Sequence, residues 1–436
     1  MATSPKTFLI ELYREYLEDA SFLYDQRRAL GADPQVSWRE LAPFDERLEA
    51  CLDGLVLGGE LAAEVCKKRV QDGDCGEVYA AVRVFCRLGL KAALLNTVQK
   101  LTLDEAKRWG AVADGLKQDC SETWLGDLAG MAANEGMTEA QLALVARVAG
   151  YRRWRRATPF LASALDKASP AVVPELLFAL GRTSSLETSI ALTAKLNDAD
   201  EKIRASAAGA LLALRDRRGI DSSARFVGTE PWASAIGAVA GGKVMLTALK
   251  TAVQAPNAAP EAILALGMCA DGASVPLLMS LLNKGVHPAA TAGALEVVLG
   301  AGLRETVFVP DPDGDLRPDG KPYGTTVTRL ALAPKRWEQW WNEFRPKFGP
   351  NLCYRLGQPY SPQAVLATLD AAWSSAKIRE WAADELRVRF GYDWNFDIEM
   401  PVGEQLASIA AARSWVLANA PRFMPSRSYF GGEPVP

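Results

Sequence analysis

The chain has 436 residues, of which 49% are hydrophobic and 23% charged, with a formal net charge of −3 and a single histidine. That length exceeds one ordinary hydrophobic core and calls for several domains or a repeat array. The near-neutral charge argues against a dedicated nucleic-acid binder, which carries a basic excess, and no apolar run reaches the ~18 residues of a membrane-spanning helix.

From the N-terminus, Met1 to Lys6 shows no basic start with an apolar run behind it, so no signal peptide is expected and the chain reads as cytoplasmic. Phe8 to Leu30 has the pattern of a long amphipathic helix, broken by Gly31 to Pro34. A second helix is expected from Trp38 to Leu57, with Leu41, Phe44, Leu48, Leu52 and Leu55 on its apolar side. This pair, residues 1–59, reads as a helical cap for a repeat array spanning residues 60–300. The first marker of a repeat is glycine after an apolar segment, at Gly58, Gly89, Gly150, Gly181, Gly267 and Gly300. Gly58 to Gly89 and Gly150 to Gly181 are both 31 residues, a length suited to a two-helix unit. Each of these glycines is expected to end a helix in the left-handed conformation.

The clearest unit runs from Ser184 to Arg215. Leu192 and Leu196 share one helix face, Asn197 to Asp200 form a turn, and Ile203, Ala207, Leu211 and Leu214 line the second helix. A second unit runs from Ala273 to Gly300, where Thr291-Ala292-Gly293-Ala294-Leu295 echoes Ala207-Ala208-Gly209-Ala210-Leu211. Between Gly181 and Gly267 the remaining units are irregular. Residues 301–436 read as a C-terminal helical subdomain, entered through an acidic Pro/Gly loop from Phe308 to Tyr323. Helices are expected around Trp337 to Phe344, over 361–374 and 375–390, and over 402–419. The tail from Pro421 has no periodicity and needs a partner or a neighbouring face to order it.

The pattern Leu192-x-x-x-Leu196-x-Asp198-x-Asp200-x-x-Ile203-Arg204-x-x-Ala207-Ala208-x-Ala210-Leu211 resembles HEAT repeats of the bilin-lyase type. That resemblance implies an all-α, HEAT-like α-solenoid. Both ends resemble a more specific family, the bacterial HEAT-repeat proteins found beside type VI secretion genes. The resembling segments are Phe22 to Arg28, Asp45 to Leu55, Trp337-x-x-Trp340-Trp341 and Tyr354 to Pro359. This family likeness implies an accessory protein or the immunity partner of a toxin, and it supplies no catalytic residues.

Few residues suggest chemistry. Seven cysteines, none in a C-x-x-C pair, read as free thiols in a reducing compartment. Asp311, Asp313 and Asp315 alternate as in a calcium loop, but Gly314 is misplaced and Pro322 stands where a glutamate ligand belongs, so a solvated loop is expected. His287 lies in a turn, and without a second histidine no histidine-rich metal site is possible. The run Ala240-Gly241-Gly242-Lys243 follows no strand and reads as a helix break, not a phosphate cradle. No catalytic residue, cofactor or enzyme activity is indicated.

Two partner-binding regions stand out. Arg152, Arg153, Trp154, Arg155 and Arg156 read as a basic, aromatic helix start suited to acidic groups. Trp337, Trp340 and Trp341 fall on one helix, where Trp340 and Trp341 cannot both face inward. Seven of the twelve tryptophans lie between 337 and 415. The expected function is non-enzymatic binding of another protein, such as a toxin or secretion component encoded nearby. The competing readings are a nucleic-acid-binding HEAT protein of the DNA-glycosylase type and a bilin-lyase-like chromophore binder.

Overall fold

The computed structural model describes residues 4–133, 137–184, 186–311, 313–349 and 352–435. Met1 to Thr3, Pro312 and Pro436, which figure in the readings above, lie outside the described residues. The fold class is all-α, with helices paired and stacked as HEAT-like repeats. Contacts divide the chain into two compact units. One comprises Met1–Ala32, Trp38–Gly219 and Pro401–Gly403, and the other Asp33–Ser37, Ile220–Met400 and Glu404–Pro436. The division therefore falls within the stretch read above as solenoid.

The first unit opens with α1 (Pro5–Ala32), which packs on α2 (Ala42–Leu57). Then follow α3 (Gly59–Asp72), α4 (Cys75–Arg87), α5 (Lys91–Gln99), α6 (Ala106–Asp119), α7 (Glu122–Ala133), α8 (Glu139–Tyr151), α9 (Thr158–Leu165), α10 (Val173–Thr183), α11 (Ser189–Ala194) and α12 (Glu201–Ala213). Helices α4, α6, α8, α10 and α12 each pack on the next and form one continuous layer. Their starts are set by local chemistry. Asp74 accepts a bond from the Glu77 amide at 2.8 Å while Glu77 accepts one from the Asp74 amide at 3.0 Å, closing a capping box at the head of α4. Thr138 and Gln141 do the same for α8. Every residue from Val78 to Phe85 in α4 is buried, as befits a helix covered on several sides.

The second unit contains the rest of α13 (Arg218–Ser223), then α14 (Pro231–Ala240), α15 (Lys243–Ala252), α16 (Pro260–Met268), α17 (Val275–Asn283) and α18 (Pro288–Leu299). Here α14, α16 and α18 form the layer. After Gly300 two strands, which the sequence reading did not expect, flank the expected loop. Strands β1 (Arg304–Pro310) and β2 (Gly324–Leu330) pair antiparallel, and only their connection is loop. Val307 and Val309 are half-buried while Thr306 and Phe308 are exposed, a two-residue alternation that the adjoining Pro, Gly and Asp residues mask in the sequence. Beyond them lie α19 (Pro334–Phe344), the short hairpin β3 (Tyr354–Arg355) and β4 (Gln358–Pro359), α20 (Pro362–Asp370), α21 (Ala376–Val388) and α22 (Val402–Asn419). The tail is ordered against a neighbouring face. Strands β5 (Tyr429–Phe430) and β6 (Glu433–Pro434) form a hairpin whose Gly431 and Gly432 amides donate to Val388 and Arg389 carbonyls of the α21 end.

The periodic glycines have two separate causes. Gly89 and Gly300 are left-handed helix ends, with φ of 72° and 58°. Gly58 is not, since its φ is −68° and Gly59 takes the positive value. Gly150, Gly181 and Gly267 lie within helices. A Cβ on Gly181 would stand 2.5 Å from Ala210 Cα, and one on Gly267 would stand 2.6 Å from Ala294 Cα. These glycines let consecutive layer helices touch backbone to backbone, so packing and not helix termination fixes them. Ala210 and Ala294 occupy the same place in the echoed pentapeptides, and the echo therefore marks this contact.

Candidate partner-binding surface

The segment 151–156 ends a helix rather than starting one. The Arg153 amide donates to the Gly150 carbonyl at 3.2 Å, the Trp154 amide to Ala149 at 2.9 Å, and Arg153 adopts a φ of 51°. That is a left-handed stop after α8. The guanidinium of Arg152 turns back and donates to the Lys117 and Gln118 carbonyls, both at 3.2 Å, at the end of α6. Trp154 is half-buried against the core of the first unit. Arg155 and Arg156 are exposed.

Arg152 belongs to a wider series. Arg182 of α10 donates to the Gly150 carbonyl in α8 at 3.0 Å, and Arg108 of α6 reaches the carbonyls of Val70, Gln71 and Gly73 where α3 ends. The last carbonyls of a helix lack intrahelical donors and carry partial negative charge, which a guanidinium satisfies on both counts. In the second unit Arg389 donates to Val239 at 2.7 Å and Ala238 at 3.1 Å in the last turn of α14, and Arg355 to Met268 at 2.6 Å at the end of α16. Both guanidiniums are buried and share Glu385, which lies 2.9 Å from Arg355 and 3.3 Å from Arg389 and also accepts the Tyr360 hydroxyl at 2.6 Å. Burial holds the Tyr360 hydroxyl well above its ordinary pKa. Arg355 lies in the Tyr354–Pro359 segment, so that motif builds a core ion network. Its only signal in the sequence is a pair of arginines in apolar surroundings.

The tryptophan helix is different. Trp337 is fully buried, and its indole donates to the Ala331 carbonyl at 2.7 Å. It is core, not a contact residue. Trp340 and Trp341 are both half-buried because Phe348, from the turn after α19, lies against each, with ring centroids 6.1 and 5.4 Å away. Phe344 lies tilted against Trp340 at 4.8 Å, and buried Tyr354 meets Phe348 at 4.8 Å. A contact from Asn283 to Glu338 at 2.7 Å anchors α19 to α17. Lys335, Arg336, Arg345 and Lys347 are exposed on this segment, against the carboxylates of Glu338 and Glu343. Lys347 lies 4.4 Å over the Phe344 ring. The result is a supported aromatic patch on a segment that carries four exposed cations and two carboxylates.

The remaining candidates have structural roles or none. Asp311, Asp313 and Asp315 are exposed on the β1–β2 connection, and among the described residues no three acidic, cysteine or histidine side chains group to hold an ion. His287 takes a φ of 41° at the head of α18, and its Nε2 donates to the Ala258 carbonyl at 2.9 Å. Gly241 and Gly242 break the chain between α14 and α15, and a Cβ on Gly241 would strike Arg389. All seven cysteines are free thiols, and burial pushes the Cys66 and Cys269 pKa values up to about 12. Among the described residues no helix is long and apolar enough to cross a membrane.

No family model and no curated protein matches the chain. Among solved structures it is similar to Kap121p bound to Ste12p, at 12% identity and a TM-score of 0.39 over 95% of this chain and 47% of that one. It is also similar to Kap121p bound to Nup53p, at 11% identity and a TM-score of 0.38 with the same coverage. The chain spans about half the length of these structures. The fold class rests on the helix packing described above.

Proposed function

We propose that the chain is a non-enzymatic binding protein that holds another protein through the aromatic patch of α19. The carrying observation is the pair Trp340 and Trp341, half-exposed and held by Phe344 and Phe348, on a segment whose exposed cations are Lys335, Arg336, Arg345 and Lys347. Rigid tryptophans at the centre of a patch with charges around it match the composition of binding hot spots. The excess of exposed cations on this segment fits a partner with an acidic face. The likeness of both chain ends to proteins encoded beside type VI secretion genes supports a toxin or secretion component as that partner, met in the cytoplasm.

The test is co-expression of the tagged chain with products of neighbouring genes, followed by affinity capture and mass spectrometry. Retention of one such product by the wild type, and its loss with Trp340→Ala/Trp341→Ala, is the expected result. If the captured protein is a toxin, co-expression restores growth. Capture of no neighbouring product, or capture that the double variant leaves intact, overturns the reading.

A further inference from the structure

The β1–β2 hairpin has an edge that matches itself. Just beyond one end of the ladder the Asp311 amide donates to the Tyr323 carbonyl at 2.8 Å, and just beyond the other the Ala331 amide donates to the Leu303 carbonyl at 3.0 Å. Both are directly opposed pairs. Bonded pairs therefore recur at every second residue between them, at Val309–Thr325, Val307–Val327 and Glu305–Arg329. The residues in between turn their backbone groups away from the partner strand. They are Gly324, Thr326, Thr328 and Leu330 on β2, and Arg304, Thr306, Phe308 and Pro310 on β1. The sheet has two strands, and among the described residues no other segment's backbone bonds to these outward groups.

The two edges are not equivalent. On β1, Pro310 has no amide to give, and Arg304 is drawn back to Glu296 at 3.4 Å and lies 5.7 Å over the Trp373 ring. On β2 every outward residue keeps its amide, and Thr325, Thr326 and Thr328 are exposed. The one charge of β2, Arg329, is answered by Glu305 across the hairpin at 3.0 Å. Lysine, proline and bulges protect the edges of soluble sheets, and β2 carries none of them.

We propose that β2 is a self-association edge, which pairs antiparallel with β2 of a second copy and joins two hairpins into one four-stranded sheet. The sequence about Val327 reads the same in both directions, Thr326-Val327-Thr328. A two-fold axis at Val327 sets Thr326 against the partner's Thr328, and their outward groups exchange both bonds. Gly324 meets the partner's Leu330 in the same way. Val327 meets the partner's Val327, and Arg329 meets the partner's Thr325, so no like charges are opposed. Two-fold pairing of β1 would instead set Pro310 against the partner's Arg304 and forfeit a donor in each copy.

The full chain, kept reduced, is followed by sedimentation velocity from low to high micromolar concentration, and a reversible monomer–dimer equilibrium is expected. Thr328→Pro removes an outward donor and none of the bonds between β1 and β2. The position occurs twice in the interface, so this variant is expected to weaken dimerisation at least ~10-fold with unchanged circular dichroism. Thr325→Glu, facing the partner's Arg329, is expected to tighten the dimer, and Thr325→Lys to loosen it. On mild oxidation Val327→Cys is expected to link to its own copy by peptide mapping, because the opposed Cβ atoms of that pair lie within disulfide reach, whereas Val307→Cys is not. A monomer at every concentration overturns the proposal, as does a dimer of undiminished strength in folded Thr328→Pro. Should Thr328→Pro lose its circular dichroism, the cysteine variants decide. A link through Val307→Cys in place of Val327→Cys puts the contact on β1 and overturns the proposal. Equal effects of Thr325→Glu and Thr325→Lys overturn the register.

Discussion

The turn at 151–156 and helix α19 carry the same ingredients, cationic side chains interleaved with aromatic rings, and put them to opposite uses. In the turn, Arg152 donates to the end of α6, Arg153 takes the left-handed stop and Trp154 sinks against the core. In α19, Trp337 alone enters the core, while Trp340 and Trp341 keep exposed area on a segment with four exposed cations. The difference lies in the backbone. A helix that ends leaves carbonyls that draw in nearby guanidiniums, whereas a continuous helix of eleven residues satisfies most of its own carbonyls and frees its side chains. A dense arginine run in a helical-repeat sequence is thus first a sign of a helix end, and only then of a partner.

Removing the shared carboxylate with Glu385→Ala tests the structural side of that comparison most severely. It leaves two buried guanidiniums without their counter-charge and is expected to cost ~3–5 kcal/mol in urea unfolding. A loss below ~1 kcal/mol would show that these arginines do not depend on Glu385. The binding side is tested by Trp340→Ala/Trp341→Ala, expected to weaken partner affinity at least ~30-fold, or about 2 kcal/mol, by calorimetric titration. Gly267→Ala probes the helix contact and is expected to destabilise by ~1–3 kcal/mol, because the added methyl meets the backbone of Ala294 and not a flexible side chain. Arg152→Ala is expected to cost ~1–2 kcal/mol of stability and to leave partner affinity unchanged. A large affinity loss with unchanged stability would reverse the assignment of the turn. Arg155→Ala/Arg156→Ala, at the exposed end of the same segment, is expected to stay within ~0.5 kcal/mol in stability.

The fold class was legible because helical periodicity survives in any amphipathic helix, and the unit at 184–215 displays it almost without interruption. The glycine period was legible, but its cause was not. A helix-ending glycine and a close-packed glycine both follow an apolar run, and only the neighbouring helix separates them. The β1–β2 hairpin was hidden because Val307 and Val309 alternate over too few residues beside a Pro- and Asp-rich connection. Of the candidate site, Trp340 and Trp341 were legible as a pair that one helix cannot bury. Phe348, which shelters both, was not, because its contact depends on the turn after the helix. The ion network of Arg355, Glu385 and Arg389 was not legible, since its members come from separate elements and converge only in the folded unit.

The arginine caps also give the chain a direction. Arg108 closes α3, Arg152 closes α6 and Arg182 closes α8, so in each case a later segment finishes an earlier helix. During synthesis α3, α6 and α8 thus emerge with their tails open and wait for a later segment. Shortening the array from its far end should accordingly uncap the helix that precedes the cut, whereas trimming its beginning leaves these downstream donors in place. Unravelling would then have a preferred sense, running backwards along the sequence like a row of stitches secured only by the last one made.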